Sequence, residues 1–422
     1  MLERNILYLL IFLIPVQLGR HFFFNFSLVA GVFSDYLTPT LYLTDIIILF
    51  LIFLDIKKNN KKYVGGVSKG LNISRGIYIF LGYCLFSCLI ISSVKTVALY
   101  KFIKIVEFFW LFKIIVNLRL NLSSVVSSYS LAIIYSSILA IYQFLLQRSV
   151  GGWWWSLGER TFYASTPGIA LGRLGNVIFL RPYATFAHPN ILGGFLALGL
   201  PLVFRQLRSN EETDKRKRII YIAAIILGTI ALVVSFSRAA WAVFVFGMAL
   251  TILIQDKNIR GIFTDKKSWY FWIFILMFIL SIILPLNLAS RMRLSRGSLY
   301  ERKELILASL TTVFQNPVFG TGLNNSIIRQ YQIIPKKYGT FIFQPVHNTY
   351  LLIFTELGIA GFLFLLIFLY KTFVRVNRND IRQYIPFFMV LILGFFDHYI
   401  FSLQQGMLIS VLFTSLVYWR QT

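Results

Sequence analysis

The chain has 422 residues, of which 57% are apolar and only 14% charged. That composition excludes a soluble enzyme, because runs of about 18 or more apolar residues read as membrane helices and this chain has many. A net charge of +25 would suit a nucleic-acid partner, but most of the basic residues lie in short loops between apolar runs, where they set topology, so no nucleic-acid binding is expected.

The predicted fold is all-α: a single polytopic membrane helical bundle over 1–422, with backbone polar groups satisfied inside the helices. About 12 spans follow in chain order, at 5–18, 41–55, 76–93, 98–116, 124–146, 189–204, 219–235, 239–254, 269–287, 349–370, 384–397 and 403–419. The first has the length of a signal peptide but lacks a small-x-small cleavage site, so it is expected to be retained as a helix. Cys84 and Cys88, one helical turn apart in the third span, read as small packing residues rather than as a disulfide or metal pair.

Alternate loops set the orientation. Those at 55–75, 117–123, 205–218, 255–267 and 371–383, together with both termini, hold 23 of the 41 Lys and Arg residues. The positive-inside rule places them, and both termini, in the cytoplasm. On the other side, 94–97, 236–238 and 398–402 are tight turns, whereas 19–40, 147–188 and 288–348 are long. Loops this long are usually functional or disordered. Their glycine, proline and aromatic content, as in Trp153-Trp154-Trp155, predicts order, with re-entrant or interfacial helices. All four histidines (His21, His188, His347 and His398) fall on this outer side.

Polar residues on that side carry the candidate chemistry. Eleven residues, close to three turns, separate His347 from Gly358, so a helix through both would place them on one face, with Gly361 nearly one turn further along. Small residues allow close helix approach in membranes, which would leave His347 at the rim. Near a helix N-terminus the dipole disfavours imidazolium, so a neutral His347 can accept a proton. Equally, His347-Asn348 can cap the helix, and spacing alone leaves both readings open.

The outer loops also carry Arg148, Arg160, Arg173 and Arg181, then Arg291, Arg293, Arg296, Arg302 and Arg329; the loop at 288–348 has eight basic residues against Glu301 and Glu304. As a set these predict an anion site, since the guanidinium fork suits phosphate; singly, each reads as a contact to anionic lipid headgroups. Arg238 interrupts an apolar stretch, which favours function over snorkelling to the interface. Lys101, Lys104 and Glu107 share one face of the fourth span as a structural polar seam. Glu356 falls on the face opposite His347, and Asp397-His398 in the last tight turn could orient an active-site group or form a solvated turn, the turn being favoured. With outer carboxylates limited to Asp35, Glu159, Glu301, Glu304 and Asp397, no metal site and no cofactor is expected, and no phosphate-gripping glycine loop is present.

Four motifs in order resemble the O-antigen ligase/polymerase superfamily: Phe186-Ala187-His188-Pro189-Asn190-Ile191-Leu192-Gly193; Ser237-Arg238-Ala239; Arg302 followed by Asn316-Pro317-Val318-Phe319-Gly320-Thr321-Gly322; and His347-Asn348 with Gly358-Ile359-Ala360-Gly361. They cover about 175–365. The resemblance implies a GT-C-like membrane glycosyltransferase, independent of metal, that moves a glycan from undecaprenyl diphosphate to a glycan, lipid or protein acceptor at the outer face of the bacterial cytoplasmic membrane. It implies His347 as the group acting on the acceptor hydroxyl and Arg302 on the diphosphate. Arg181 is the second diphosphate arginine, Arg238 a further candidate, and Asn348, Gly320, Gly322, Gly358 and Gly361 are supporting residues. The family pattern varies at position 188, so His188 receives no role. Developing charge on a diphosphate leaving group is what paired arginines stabilise. The rival class is a transporter or flippase of lipid-linked sugars, which would string cationic residues along a central cavity.

Overall fold

A computed structural model describes residues 1–63, 75–118, 120–209, 214–253, 298–334, 342–375 and 384–418. The predicted ninth span at 269–287, the loop at 255–267, and Arg291, Arg293 and Arg296 lie outside the described residues.

The protein is mostly helical. Eight helices come first: α1 (Leu2–Phe12), α2 (Leu43–Tyr63), α3 (Arg75–Phe86), α4 (Lys95–Leu118), α5 (Leu122–Leu146), α6 (Pro189–Leu207), α7 (Lys215–Val234) and α8 (Arg238–Leu253). After them come α9 (Ser298–Gln315), α10 (Ser326–Ile333), α11 (Thr349–Arg375), α12 (Ile385–Phe396), the single turn α13 (Tyr399–Ser402) and α14 (Gln404–Leu416). Helices thus occupy the other eleven predicted spans. Four of them, α5, α6, α7 and α11, are long and apolar enough to cross a membrane.

Helix α6 is the centre of the bundle, and its glycines explain how. A Cβ on Gly193 would stand 2.9 Å from the side chains of Ala240 on α8 and of Ser237 just before it, and one on Gly199 would strike the Tyr129 ring of α5 at 2.1 Å. Between lipid-bathed helices, close approach at small residues is what drives packing, so α5, α8 and the α12–α14 segment can all close on α6. One apolar cluster runs through α1, α5, α6, α7, α8, α12 and α14. Cys84 and Cys88 pack in a smaller cluster with Ala98, Leu323 and Leu357.

Two long connections differ from expectation. At 19–42 the chain forms a short 3-10 helix, Asn25–Ser27, and hairpins, β1 (Gly19–His21) with β4 (Thr40–Tyr42) and β2 (Leu28–Val29) with β3 (Val32–Phe33); at 147–188 it forms a two-turn 3-10 helix, Gly152–Leu157, and the hairpin β5 (Leu171–Leu174) with β6 (Val177–Leu180). The reason is turn chemistry: Ala30 and Gly31 both have positive φ, 53° and 80°, the backbone of a tight hairpin turn. Glu159 ties the second connection down, accepting from the Gln143 amide and the Val150 and Gly151 N–H groups at 2.7–2.8 Å.

The seam on α4 is buried. Lys104 pairs with Asp45 of α2 and with Glu107 at 3.5 Å, and donates to Gln404 of α14 at 3.2 Å.

Candidate active site

The largest correction to the sequence reading concerns α11. His347 does not lie on that helix, and the helix is broken at Gly358, whose φ of 61° and ψ of −166° are non-helical. Two regular helical pieces meet there, so the expected single face from His347 through Gly358 to Gly361 does not exist. A Cβ at Gly361 would meet Leu357 of its own helix at 2.2 Å, not a neighbour.

What the glycines serve is a splice. Ile359 N–H donates to Pro317 O at 2.8 Å, Thr321 N–H to Thr355 O at 3.0 Å, and Gly322 N–H to Glu356 O at 2.9 Å. The Asn316–Gly322 loop is thus hydrogen-bonded into the break of α11, which supplies partners for backbone groups that a broken helix leaves open. A Cβ on Gly358 would lie 2.2 Å from Val318 O, and one on Gly320 would lie 2.5 Å from Thr355 O. Glu356 belongs to the same joint, accepting from Asn324 N–H at 2.9 Å and Ser326 Oγ at 2.8 Å. Gly322 packs against Ser92 at the start of α4. The splice sets α9, which carries Arg302, against the start of α11 through Leu305, Ile306, Val346, Leu351 and Leu352.

Asn348 caps α11. Its Oδ1 accepts from the N–H groups of Tyr350 and Leu351, both at 3.0 Å, a cap worth about 1 kcal/mol. The two readings of His347-Asn348 therefore divide between the residues: Asn348 caps, and His347 is left for another task. His347 Nδ1 is buried without a hydrogen-bond partner among the described residues, an orphan of the kind that marks functional sites.

Asp397-His398 is not a solvated turn. Both residues are buried, because α12 stops at Phe396 and the chain turns inside the bundle before α14. The His347 and His398 rings lie 5.4 Å apart, and the ring nitrogens and carboxylate oxygens of His347, Asp397 and His398 fall within 4.8 Å of one another. Thr349 Oγ1 donates to Asp397 O at 2.8 Å, tying this break to the start of α11.

Arg181 reaches the same place through one bridging amide. Its Nη2 donates to Asn190 Oδ1 at 2.7 Å, and Asn190 Nδ2 donates to Asp397 Oδ2 at 3.0 Å. Arg181 Nε donates to Ser235 O at 2.9 Å, in the turn before Arg238. Burial lowers Arg181 to about 10, and the nearby charges of Arg238 and Arg302 act in the same direction. The three diphosphate candidates therefore converge. Arg302 is half-buried and Arg238 exposed. Of the other described arginines singled out in the two later loops, Arg160 pairs with Asp35 at 3.6 Å, Arg173 donates to Gly175 O at 3.0 Å and Arg329 to Gln315 and Gln332; the backbone of Arg148 bridges to Tyr163.

His188 caps α6, accepting from Asn190 N–H at 3.1 Å, and stands within the field of Arg181 and Asp397. Burial lowers His188 to about 4, helped by the Arg181 charge. It lowers His398 to about 4, against the pull of Asp397. His347 is lowered by burial and by Arg302, while Asp397 opposes them. Burial alone would raise Asp397; His347, His398 and Arg302 together outweigh it and hold the carboxyl below its usual range.

From sequence, Asp397-His398 ranks as a solvated turn ahead of an orienting group, and the Asn190 bridge is missed. A carboxylate adjoining a histidine in an outer turn, and an amide inside a motif already singled out, were the available signals. The two histidines and the carboxylate could also hold a metal by spacing. Their surroundings fit an anion better: Arg302 and Arg181 lie close, Asp397 Oδ2 is taken by Asn190, Asp397 Oδ1 accepts from His398 N–H at 2.8 Å, and His398 Nδ1 is engaged by Ser402 Oγ at 2.6 Å.

Helices long and apolar enough to cross a membrane thus surround a corner in which a half-buried histidine stands beside a buried carboxylate and a set of arginines. Residues 223–366 match the family described as O-antigen ligase. The match covers about a third of the chain and contains Arg238, Arg302 and His347. No curated protein and no solved structure matches.

Proposed function

We propose that the protein is a metal-independent glycosyltransferase of ligase or polymerase type. It would transfer a glycan from undecaprenyl diphosphate to an acceptor hydroxyl at the outer face of the cytoplasmic membrane, from a bundle of about 12 spans. The observation that carries this reading is the meeting of His347 and Asp397 with Arg181, Arg238 and Arg302, drawn from five separate segments of the chain.

His347 would take the proton of the attacking hydroxyl, and Asp397 would stabilise the imidazolium that forms, as a buried carboxylate does in other acid–base pairs. The acceptor oxygen bonds to the anomeric carbon as the bond to the diphosphate oxygen breaks, and the arginines take up the charge that accumulates on the leaving group. Of those arginines, Arg302 lowers the basicity of His347. A bound diphosphate offsets their charge, so the base strengthens when the donor is in place. A transporter reading is less well supported: Lys104, in the seam, is paired with carboxylates of α2 and α4.

The test is transfer by the purified protein in nanodiscs, using lipid-linked glycan extracted from cells lacking this protein, with and without EDTA. His347→Ala and Arg302→Ala should each leave the lipid-linked glycan untransferred while the protein stays folded, and EDTA should change nothing. Wild-type transfer in both variants would refute the assignment. Single repeat units on the acceptor in the deletion strain would indicate a polymerase, and full-length lipid-linked chains left untransferred a ligase.

A further inference from the structure

Lys101 on α4 remains unexplained by the site as described. It is buried, with 4% of its surface exposed, and among the described residues its ammonium has no carboxylate within 4 Å, unlike Lys104 one turn away, which has two. Burying an unpaired charge is costly, and charged residues in membrane helices are retained for function.

Its partners indicate the task. Lys101 Nζ donates to Phe401 O, lies 3.8 Å from Met407 Sδ and sits 4.5 Å from the centre of the Phe401 ring. Phe401 belongs to the one-turn helix α13, whose N-cap is His398 and after which Leu403 is extended. A carbonyl at the end of one turn has no helical partner, and the ammonium supplies it from another helix. A second anchor holds the far side of the same break: Gln404 Nε2 donates to Thr44 Oγ1 at 3.0 Å and to Asp45, while Lys104 donates to Gln404 Oε1 at 3.2 Å. The polar seam on α2 and α4 therefore grips the segment 397–404 from inside the bundle.

We propose that Lys101 is a positioning residue for the transfer reaction: it holds the one-turn helix behind His398 and so keeps Asp397 set against His347. This rests on the function proposed above. A cation does what a neutral donor would not. Asp397 is shared by two imidazoles, and only a charge on His347 serves the reaction. His398 faces Asp397, His347, Ser402, Tyr36 and, at longer range, Lys101 and Arg302. Beyond burial, the positive charges of Lys101 and Arg302 disfavour its protonation, leaving the carboxylate to His347.

The experiment compares wild type, Lys101→Met, Lys101→Arg and His347→Ala in nanodiscs, measuring transfer of extracted lipid-linked glycan against pH, together with melting temperatures. Lys101→Met should lose about tenfold or more in kcat, the scale of a small misplacement at a reacting centre, with KM for the donor within about twofold. Its activity should also fail at a higher pH on the acid side, because His398 gains a proton and draws Asp397 away from His347. Lys101→Arg should restore most of kcat and the wild-type pH profile. Wild-type kcat and profile in Lys101→Met would overturn the proposal. So would a folded Lys101→Arg no better than Lys101→Met, or unfolding of both variants, which would make the residue one of the fold alone. Transfer by wild type that survives His347→Ala would overturn the functional reading and this inference with it. Loss in His347→Ala beside an unaltered Lys101→Met would overturn only this inference.

Discussion

The histidine–aspartate corner and the arginine rim of the site are held in opposite ways. Asp397 is buried, with one carboxylate oxygen accepting from Asn190 and the other from the His398 N–H, and His347 sits beside a helix cap that fixes the backbone next to it. Arg302 and Arg238 are half-buried and exposed, on separate helices joined to the corner by electrostatics more than by hydrogen bonds; Arg181 stands between, with two donors committed to Ser235 and Asn190. On the proposed function, the proton transfer needs fixed geometry, whereas a large charged lipid donor would have to enter and leave. Rigidity on the base side and access on the anion side follow from that division.

The comparison can be broken most sharply on the rigid side. His347→Ala should cost on the order of 10²–10⁴ in kcat, the range of a lost general base, with protein level unchanged. Asp397→Asn keeps the shape of the corner and removes its charge; a loss on the order of 10² in kcat is expected, and a near-normal rate would detach Asp397 from the chemistry. On the open side, Arg302→Ala should lower kcat/KM by about 10², whereas Arg302→Lys should recover part of that because charge survives though the fork does not. Should Lys fail as badly as Ala, bidentate geometry rather than charge governs the rim.

Smaller effects test the scaffold between the two sides. Gly358→Ala puts a side chain at a φ of 61° and 2.2 Å from Val318 O, so a stability loss of about 1–3 kcal/mol is expected, read as a lowered melting temperature with activity falling in parallel. For the histidines the sign follows from their depressed values: His188 and His398 stand at about 4 against an ordinary 6.5. Protonation therefore favours the unfolded chain. Their stabilising contribution is complete above pH 6.5 and is lost as the pH falls from 6.5 toward 4. The melting temperature should be level above that window and drop through it, and His188→Asn, which keeps the helix cap, should reduce the drop. An unchanged acid profile would show that His188 is not held neutral by the fold.

Much of the helical plan was legible because membrane spans announce themselves by long apolar runs, and eleven predicted stretches coincide with helices. The turns were less so. The first two long connections carry short 3-10 helices but are built mainly of hairpins, set by turns such as Ala30-Gly31, whose positive φ values no hydropathy pattern reports. For the site, Arg181, Arg238, Arg302 and His347 were all singled out in advance, and the structure brings them together. The one-face argument for His347, Gly358 and Gly361 was wrong because an unbroken helix was assumed where Gly358 breaks it. Asp397 was undervalued because a turn between two apolar runs looks solvated when its neighbours are unknown.

By itself, the sequence determined the class of molecule, a helical membrane protein, and singled out the residue types of the candidate site, since apolar length, charge bias and short motifs are local properties. Only the tertiary structure decided that Gly358 and Asn316–Gly322 form one joint, that Asn190 links Arg181 to Asp397, and that Lys101 reaches Phe401 across 300 residues of chain. Those are contacts between backbone breaks. A break leaves polar groups that must find partners where water is scarce, and which distant segment supplies them is settled by packing and not by local pattern.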